Sequence, residues 1–151
     1  MTPDERLAEL GLALPEIPSL PFVPRLRPVL VHEGIAYLSG IGPVGVAGRV
    51  GETLGVEAGY AAARETALLA LRRLVDEVGA LDRVARWIRV LGFVRSAPGF
   101  GDQPSVLNGF TDLVVAVFGE ERGLCARSAI GVSELPAGIP VEVEAAVALR
   151  V

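Results

Sequence analysis

Two long stretches of helical periodicity constrain the fold of this chain most. From Val56 to Val78, apolar residues recur at Tyr60, Ala63, Ala67, Leu71, Leu74 and Val78, with Leu68 and Val75 beside them. Arg64, Arg72, Arg73, Asp76 and Glu77 take the opposite side, so one stripe faces a core and the other faces water. Gly79 stops this helix. A second helix starts at Asp102, an N-cap residue, with Pro104 in its first turn, and ends at Gly119. Its buried stripe is Val106, Leu107, Phe110, Leu113, Val114, Val117 and Phe118.

Short β-like runs surround these helices. Pro28 to His32 and Ile35 to Ser39 flank Glu33-Gly34, a tight hairpin signal. Ser39-Gly40-Ile41-Gly42-Pro43 breaks the second run, and a glycine-rich loop follows to about Gly55. Trp87 to Val94 is apolar and β-branched, as an inner strand is. Arg127 to Val132 and Val141 to Val151 make the last two strands. The order is therefore helix, two strands, helix, strand, helix, two strands. Two long helices cannot cover both faces of such a sheet, so they pack on one, which gives an α+β domain. In the last strand Val141, Val143, Ala145 and Val147 face the helices. Glu142, Glu144, Ala146 and Ala148 face away, and that half-apolar second face suggests burial against another subunit.

The chain reads as one domain over residues 1–151, of which residues 1–24 form an N-terminal helix and proline-rich arm. Thr2 caps a short helix that has Pro3, Asp4 and Glu5 in its first turn, and Gly11 ends it. Pro15, Pro18, Pro21 and Pro24 then make an extended segment that lies on something rather than linking domains.

Composition narrows the chemistry. There is no lysine; every basic side chain besides His32 is arginine. A lysine Schiff base and a phosphate-binding P-loop are both excluded. A single cysteine, Cys125, cannot form an intrachain disulfide or a structural zinc site, and no metal is expected. Apolar runs are too short to cross a bilayer and nothing near Met1 resembles a secretory signal, so the expected compartment is the cytoplasm. A net charge of −4 with scattered arginines argues against nucleic acid as a partner. Asn108 and Gln103 are the only side-chain amides. That depletion fits a thermophile, and a GC-rich genome would explain the arginine equally well.

The groups left for chemistry lie mostly in the last quarter. Arg127 opens one strand, and Glu142 and Glu144 share a face of the next. From spacing alone, two such glutamates read first as a solvated strand face. If the loop near Pro136 reverses the chain between these strands, Arg127 and Glu142 lie more than ~10 Å apart in one chain at ~3.3 Å rise per residue. A site using both forms more easily between subunits. Cys125, beside the arginine, reads as a small packing residue rather than a reactive thiol. His32 reads as a surface residue near the hairpin tip.

Ala126-Arg127-Ser128-Ala129-Ile130-Gly131-Val132, Leu135-Pro136 and Val141-Glu142-Val143-Glu144-Ala145 together resemble the closing signature of the Rid family, the YjgF-like reactive intermediate deaminases. Leu38-Ser39-Gly40 with Gly42-Pro43 resembles the family's strand-end turn, and Asn108 its helix asparagine. Glu5 to Gly11 and Ser96 to Phe100 through Gln103-Pro104 resemble one of the family's less-characterised subgroups. The resemblance covers nearly the whole chain. It implies a chorismate-mutase-like α+β fold, with a mixed sheet and two long helices on one face. It also implies a homotrimer with clefts between subunits. The implied activity is hydrolysis of 2-imino or 2-enamino acids to 2-oxo acids and ammonia, with no cofactor. Arg127 would grip the substrate carboxylate and Glu142 activate the water. Backbone near Ser39 and Gly40 would hold the imine end, and Asn108 would support the cleft. Phe22 stands where active deaminases of the family tend to have tyrosine, and Ala129 where many members have cysteine. A non-catalytic carboxylate-binding or regulatory trimer, an endoribonuclease or translation inhibitor, and a chaperone-like holdase are the alternatives.

Overall fold

The computed structural model describes all 151 residues. The chain runs α1 (Pro3–Glu9), β1 (Val29–His32), β2 (Ile35–Ile41), α2 (Val56–Val78), β3 (Val84–Arg95), α3 (Gln103–Phe118), α4 (Glu120–Gly123), β4 (Ala126–Val132) and β5 (Val141–Leu149). The strands form one mixed sheet in the order β1-β2-β5-β3-β4. Pairing is antiparallel except between β3 and β4, which run parallel. The α+β architecture expected from the sequence is the one that forms.

Helices α2 and α3 lie side by side on one face. Their packing depends on Gly109: a β-carbon there would stand 2.0 Å from the Tyr60 carbonyl oxygen, so only glycine lets the two backbones approach this closely. The core is continuous between this layer and the sheet. It centres on Trp87, fully buried in β3 and packed edge-on against Phe110 and Phe118 of α3. All seven expected stripe residues of α3 are buried. In β5, Val141, Val143 and Val147 are buried beneath the helices as expected.

Local signals act as read at most ends. Thr2 and Glu5 form a reciprocal capping box on α1. Glu33 and Gly34 both take positive φ in the β1–β2 turn. The proline-rich arm sets Leu12, Leu14 and Ile17 against the core, but Leu20, Phe22, Val23 and Leu26 stand exposed beyond it.

Several details differ from the sequence reading, among them the single-turn helix α4, which had no counterpart there, and β5 ending at Leu149 rather than Val151. Strand β2 continues through Ser39 and Gly40 to Ile41, because a register shift against β5 absorbs the expected break. Strand β3 is longer than Trp87 to Val94 at both ends. Strands β4 and β5 are not neighbours; β3 lies between them.

Candidate active site

Apart from Phe22 on the arm, the site residues singled out from sequence fall into two groups on opposite faces of the sheet. Arg127, Ala129 and Asn108 belong to the helix face at the β4 edge. Glu142, Ser39 and Gly40 belong to the β2–β5 pair, with Glu142 on the open face.

Arg127 is opposite Val90 of β3, a buried residue beneath the helices. Its guanidinium turns to α3. Nη1 donates to Asn108 Oδ1 and to Thr111 Oγ1, both at 3.0 Å, and Nη2 donates to the Pro104 carbonyl at 3.4 Å. No carboxylate lies within ion-pair distance of it, whereas Arg49 and Arg95 are both paired with Glu134. An arginine held by neutral groups keeps its charge available to an incoming anion. Ala129, two residues along the same strand, is opposite Gly92 and packs against the core.

Glu142 lies between the buried Val141 and Val143, so its side chain leaves the sheet on the other face. The carboxyl is half-buried and makes no hydrogen bond or ion pair. Burial first, and the nearby Glu144 carboxylate second, hold its pKa above the usual range. The Glu142 carboxyl rests against Gly40, where a β-carbon would come within 2.9 Å of Cδ. Ser39 is committed to the arm: its N–H donates to the Pro28 carbonyl at 3.0 Å and its hydroxyl to the Arg27 carbonyl at 2.6 Å. What Ser39 leaves for a ligand is hydroxyl lone pairs.

A groove of about 460 Å³ crosses the open face beside this group, bounded by Arg27, Leu30, Tyr37, Ser39, Arg89 and Glu144. The loop before β5 is held from outside. Gly48 N–H donates to the Gly138 carbonyl, Arg95 N–H donates to the Pro140 carbonyl, and Arg49 and Arg95 both grip Glu134. These bonds fix where β5 starts, and Glu142 is its second residue.

Phe22 is 63% exposed on the arm. Burial pushes the Cys125 thiol up more than nearby Arg127 and Arg89 lower it, which agrees with a packing role. His32 is exposed beside Glu33. No three His, Cys, Asp or Glu side chains gather as a metal site would require, and no helix is long and apolar enough to cross a membrane. Sequence reasoning missed Thr111 and the Pro104 carbonyl. The spacing Asn108 to Thr111 puts both on one helix face, which is the signal that was there to find.

Within one chain Arg127 and Glu142 cannot meet. Glu142 is level with Phe93 and Arg127 with Val90. They differ by three residues along the strands and two strand spacings, roughly 10 Å in each direction, besides facing opposite sides. The expected separation holds, although it comes from β3 lying between the two strands and not from a reversal between neighbours.

The family model for endoribonuclease L-PSP matches residues 21–149. The chain is 47% identical over 103 residues to the protein TCP17 of Trypanosoma cruzi, an alignment covering 68% of this chain. It spans 64% of that protein's length. Among solved structures, Atu1372 from Agrobacterium tumefaciens, a protein of unknown function, superposes with a TM-score of 0.87 at 33% identity, covering 99% of this chain and 93% of that one. A candidate endoribonuclease from Shewanella oneidensis superposes with a TM-score of 0.91 at 27% identity, covering 99% and 100%.

Proposed function

This chain belongs to the endoribonuclease L-PSP family of YjgF-like proteins, and from that premise we propose that it hydrolyses 2-imino or 2-enamino acids to 2-oxo acids and ammonia. The reaction takes place in the cytoplasm, in clefts between the subunits of a homotrimer. The observation that carries this reading is Glu142: a half-buried carboxylate whose pKa is raised within its own chain, where it has no cationic partner. Such a group is costly to keep and suits a general base.

Arg127 of one subunit binds the substrate carboxylate, and Glu142 of the next faces the C=N carbon. The Glu142 carboxylate takes a proton from water as the oxygen bonds to that carbon. The C=N π electrons move to nitrogen, which takes the proton back from the Glu142 carboxyl. The carbinolamine then collapses: Glu142 carries its hydroxyl proton to the amine nitrogen, C=O forms and the C–N bond breaks to release ammonia. Positioning and one proton shuttle suffice for a substrate this reactive. The separation of Arg127 and Glu142 on opposite faces supports a site completed by a second copy. So does the open sheet face, where Leu30 and Tyr37 stand about half exposed.

Phe22 favours a second reading. A phenyl ring cannot donate the hydrogen bond of a tyrosine, and a trimer that binds small carboxylates without turnover would tolerate it. The endoribonuclease activity in the family's name suits this chain poorly, because a net charge of −4 opposes phosphate binding.

The deciding experiment couples an amino acid oxidase, which generates 2-imino acids, to wild type, Arg127→Ala and Glu142→Gln. Acceleration lost in both variants, with ligand binding kept in Glu142→Gln, is the expected outcome. Ligand binding without acceleration would replace the deaminase with the binding trimer. RNA cleavage that survives Arg127→Ala would overturn both.

A further inference from the structure

A guanidinium carries five N–H donors in a rigid plane, and a ligand can use only those the protein leaves free. Helix α3 takes both Nη1 hydrogens of Arg127, one through Asn108 Oδ1 and one through Thr111 Oγ1, each at 3.0 Å. It takes one Nη2 hydrogen through the Pro104 carbonyl at 3.4 Å. The Thr111 hydroxyl itself donates to the Leu107 carbonyl at 3.4 Å, which leaves its lone pairs to accept from Arg127. Nε makes no hydrogen bond.

A carboxylate can meet arginine on two edges: end-on across Nη1 and Nη2, or side-on across Nε and Nη2. In this chain the end-on edge is closed from within. We propose that Arg127 takes its carboxylate ligand through the Nε–Nη2 edge, and that Thr111 is the positioning residue that fixes this choice. The inference rests on the reading of Arg127 as the carboxylate anchor.

Thr111 never touches the ligand; it acts by saturating Nη1. Asn108 shares the task but is exposed, whereas Thr111 is partly buried and its hydroxyl is tied down by Leu107. With Thr111 in place the plane of the guanidinium is set, so the ligand carboxylate must lie in that plane at the open edge. This fixes which face of the neighbouring C=N carbon is presented to Glu142. Without the hydroxyl one Nη1 hydrogen is released, and the end-on edge begins to compete.

The test uses pyruvate, a 2-oxo acid, as the probe, and reads binding together with the NMR signal of the Arg127 Nε–H. In wild type, pyruvate moves that proton downfield, and Arg127→Ala abolishes binding. Thr111→Val, close in shape but without the hydroxyl, weakens pyruvate by about tenfold and loses most of the shift, the scale of one charge-assisted hydrogen bond. Thr111→Ser restores both. Pyruvate that binds through Arg127 without moving the Nε–H overturns the proposal, as does a Thr111→Val protein that binds like wild type. A Thr111→Ser protein that fails like the valine variant makes Thr111 a packing residue and also overturns it. Pyruvate binding that ignores Arg127→Ala, or no binding at all, overturns the carboxylate-anchor reading and this inference with it.

Discussion

The Glu142 carboxyl carbon stands 2.9 Å from the point where a β-carbon on Gly40 would lie, and both its oxygens stand 3.2 Å from it. The contact arises where the β2–β5 register shifts between Leu38 and Ile41. The bare Gly40 backbone therefore forms the floor on which the carboxylate rests. Gly40→Ala would push the far end of a flexible side chain and leave backbone positions alone. Stability should change by no more than about 0.5 kcal/mol. Turnover should fall roughly 10²-fold, because a base displaced by an ångström no longer meets its water. A thermal melt and a kcat measured on the same preparation separate the two effects.

The pKa of Glu142 makes a second prediction, with a definite sign. Burial and Glu144 raise it in the folded chain, so the folded state holds its proton more tightly than the unfolded state does. The ionised group then lowers stability above the folded pKa, and the penalty vanishes below the unfolded value, about 4.3. Glu142→Gln should therefore melt higher than wild type at neutral pH and match it in acid. In activity the same shift places the acid limb of the pH profile above the usual carboxylate range. Glu144→Gln removes the like charge and should move that limb toward lower pH. Equal melting of wild type and Glu142→Gln at neutral pH would mean that the carboxylate is not destabilised there.

Much of this fold was legible because its signals are local. The 3.6-residue period fixed α2 at Val56–Val78, and the apolar stripe of α3 gave its buried residues. Glu33-Gly34 announced the hairpin. Strand order was not legible: β4 runs parallel to β3 and is kept apart from β5, a long-range pairing that no short pattern encodes. The Gly40–Glu142 contact depends on a register shift, and registers are set by the whole sheet. Helix α4 is a single turn after Gly119, too short to show a period. In the candidate site, Arg127 and Asn108 stood out by residue type, whereas Glu142 was singled out by the resemblance of the closing motif and not by spacing. Thr111 did not stand out, because a threonine in a helix carries no chemistry until its partner is known.

Gly109 supplies a stability prediction of the opposite kind to Gly40. Its β-carbon would meet the Tyr60 carbonyl oxygen at 2.0 Å and the Arg64 amide nitrogen at 3.2 Å, both backbone atoms that cannot swing aside. Gly109→Ala must separate α2 from α3 and should cost about 3 kcal/mol, at the upper end for overpacking. At this chain length the melting temperature would fall by about 6–12 °C. Gly101→Ala, with no heavy atom within 4 Å of its β-carbon, is the control and should melt like wild type. Similar melting of the two variants would show that the helices do not cross at Gly109.

The strongest test of the subunit-spanning site is complementation. Arg127 lies on the helix face at the β4 edge and Glu142 on the open face, so each copy supplies half of two different sites. Arg127→Ala and Glu142→Gln are each expected to be inactive alone. Unfolded together at equal amounts and refolded, they should form mixed rings in which some sites receive Arg127 from one variant and Glu142 from the other. Random assembly of a cyclic oligomer gives about a quarter of all sites both native residues. Activity should therefore recover to about a quarter of wild type, and only after co-refolding, since mixing the folded variants leaves each ring uniform. If both residues served one site within a single chain, no mixture would contain an intact site and activity would stay at zero. Leu30→Glu on the open face, where Leu30 is 52% exposed, should leave each chain folded but weaken assembly. Adding it to both variants should then abolish the recovery, with sedimentation showing the smaller species.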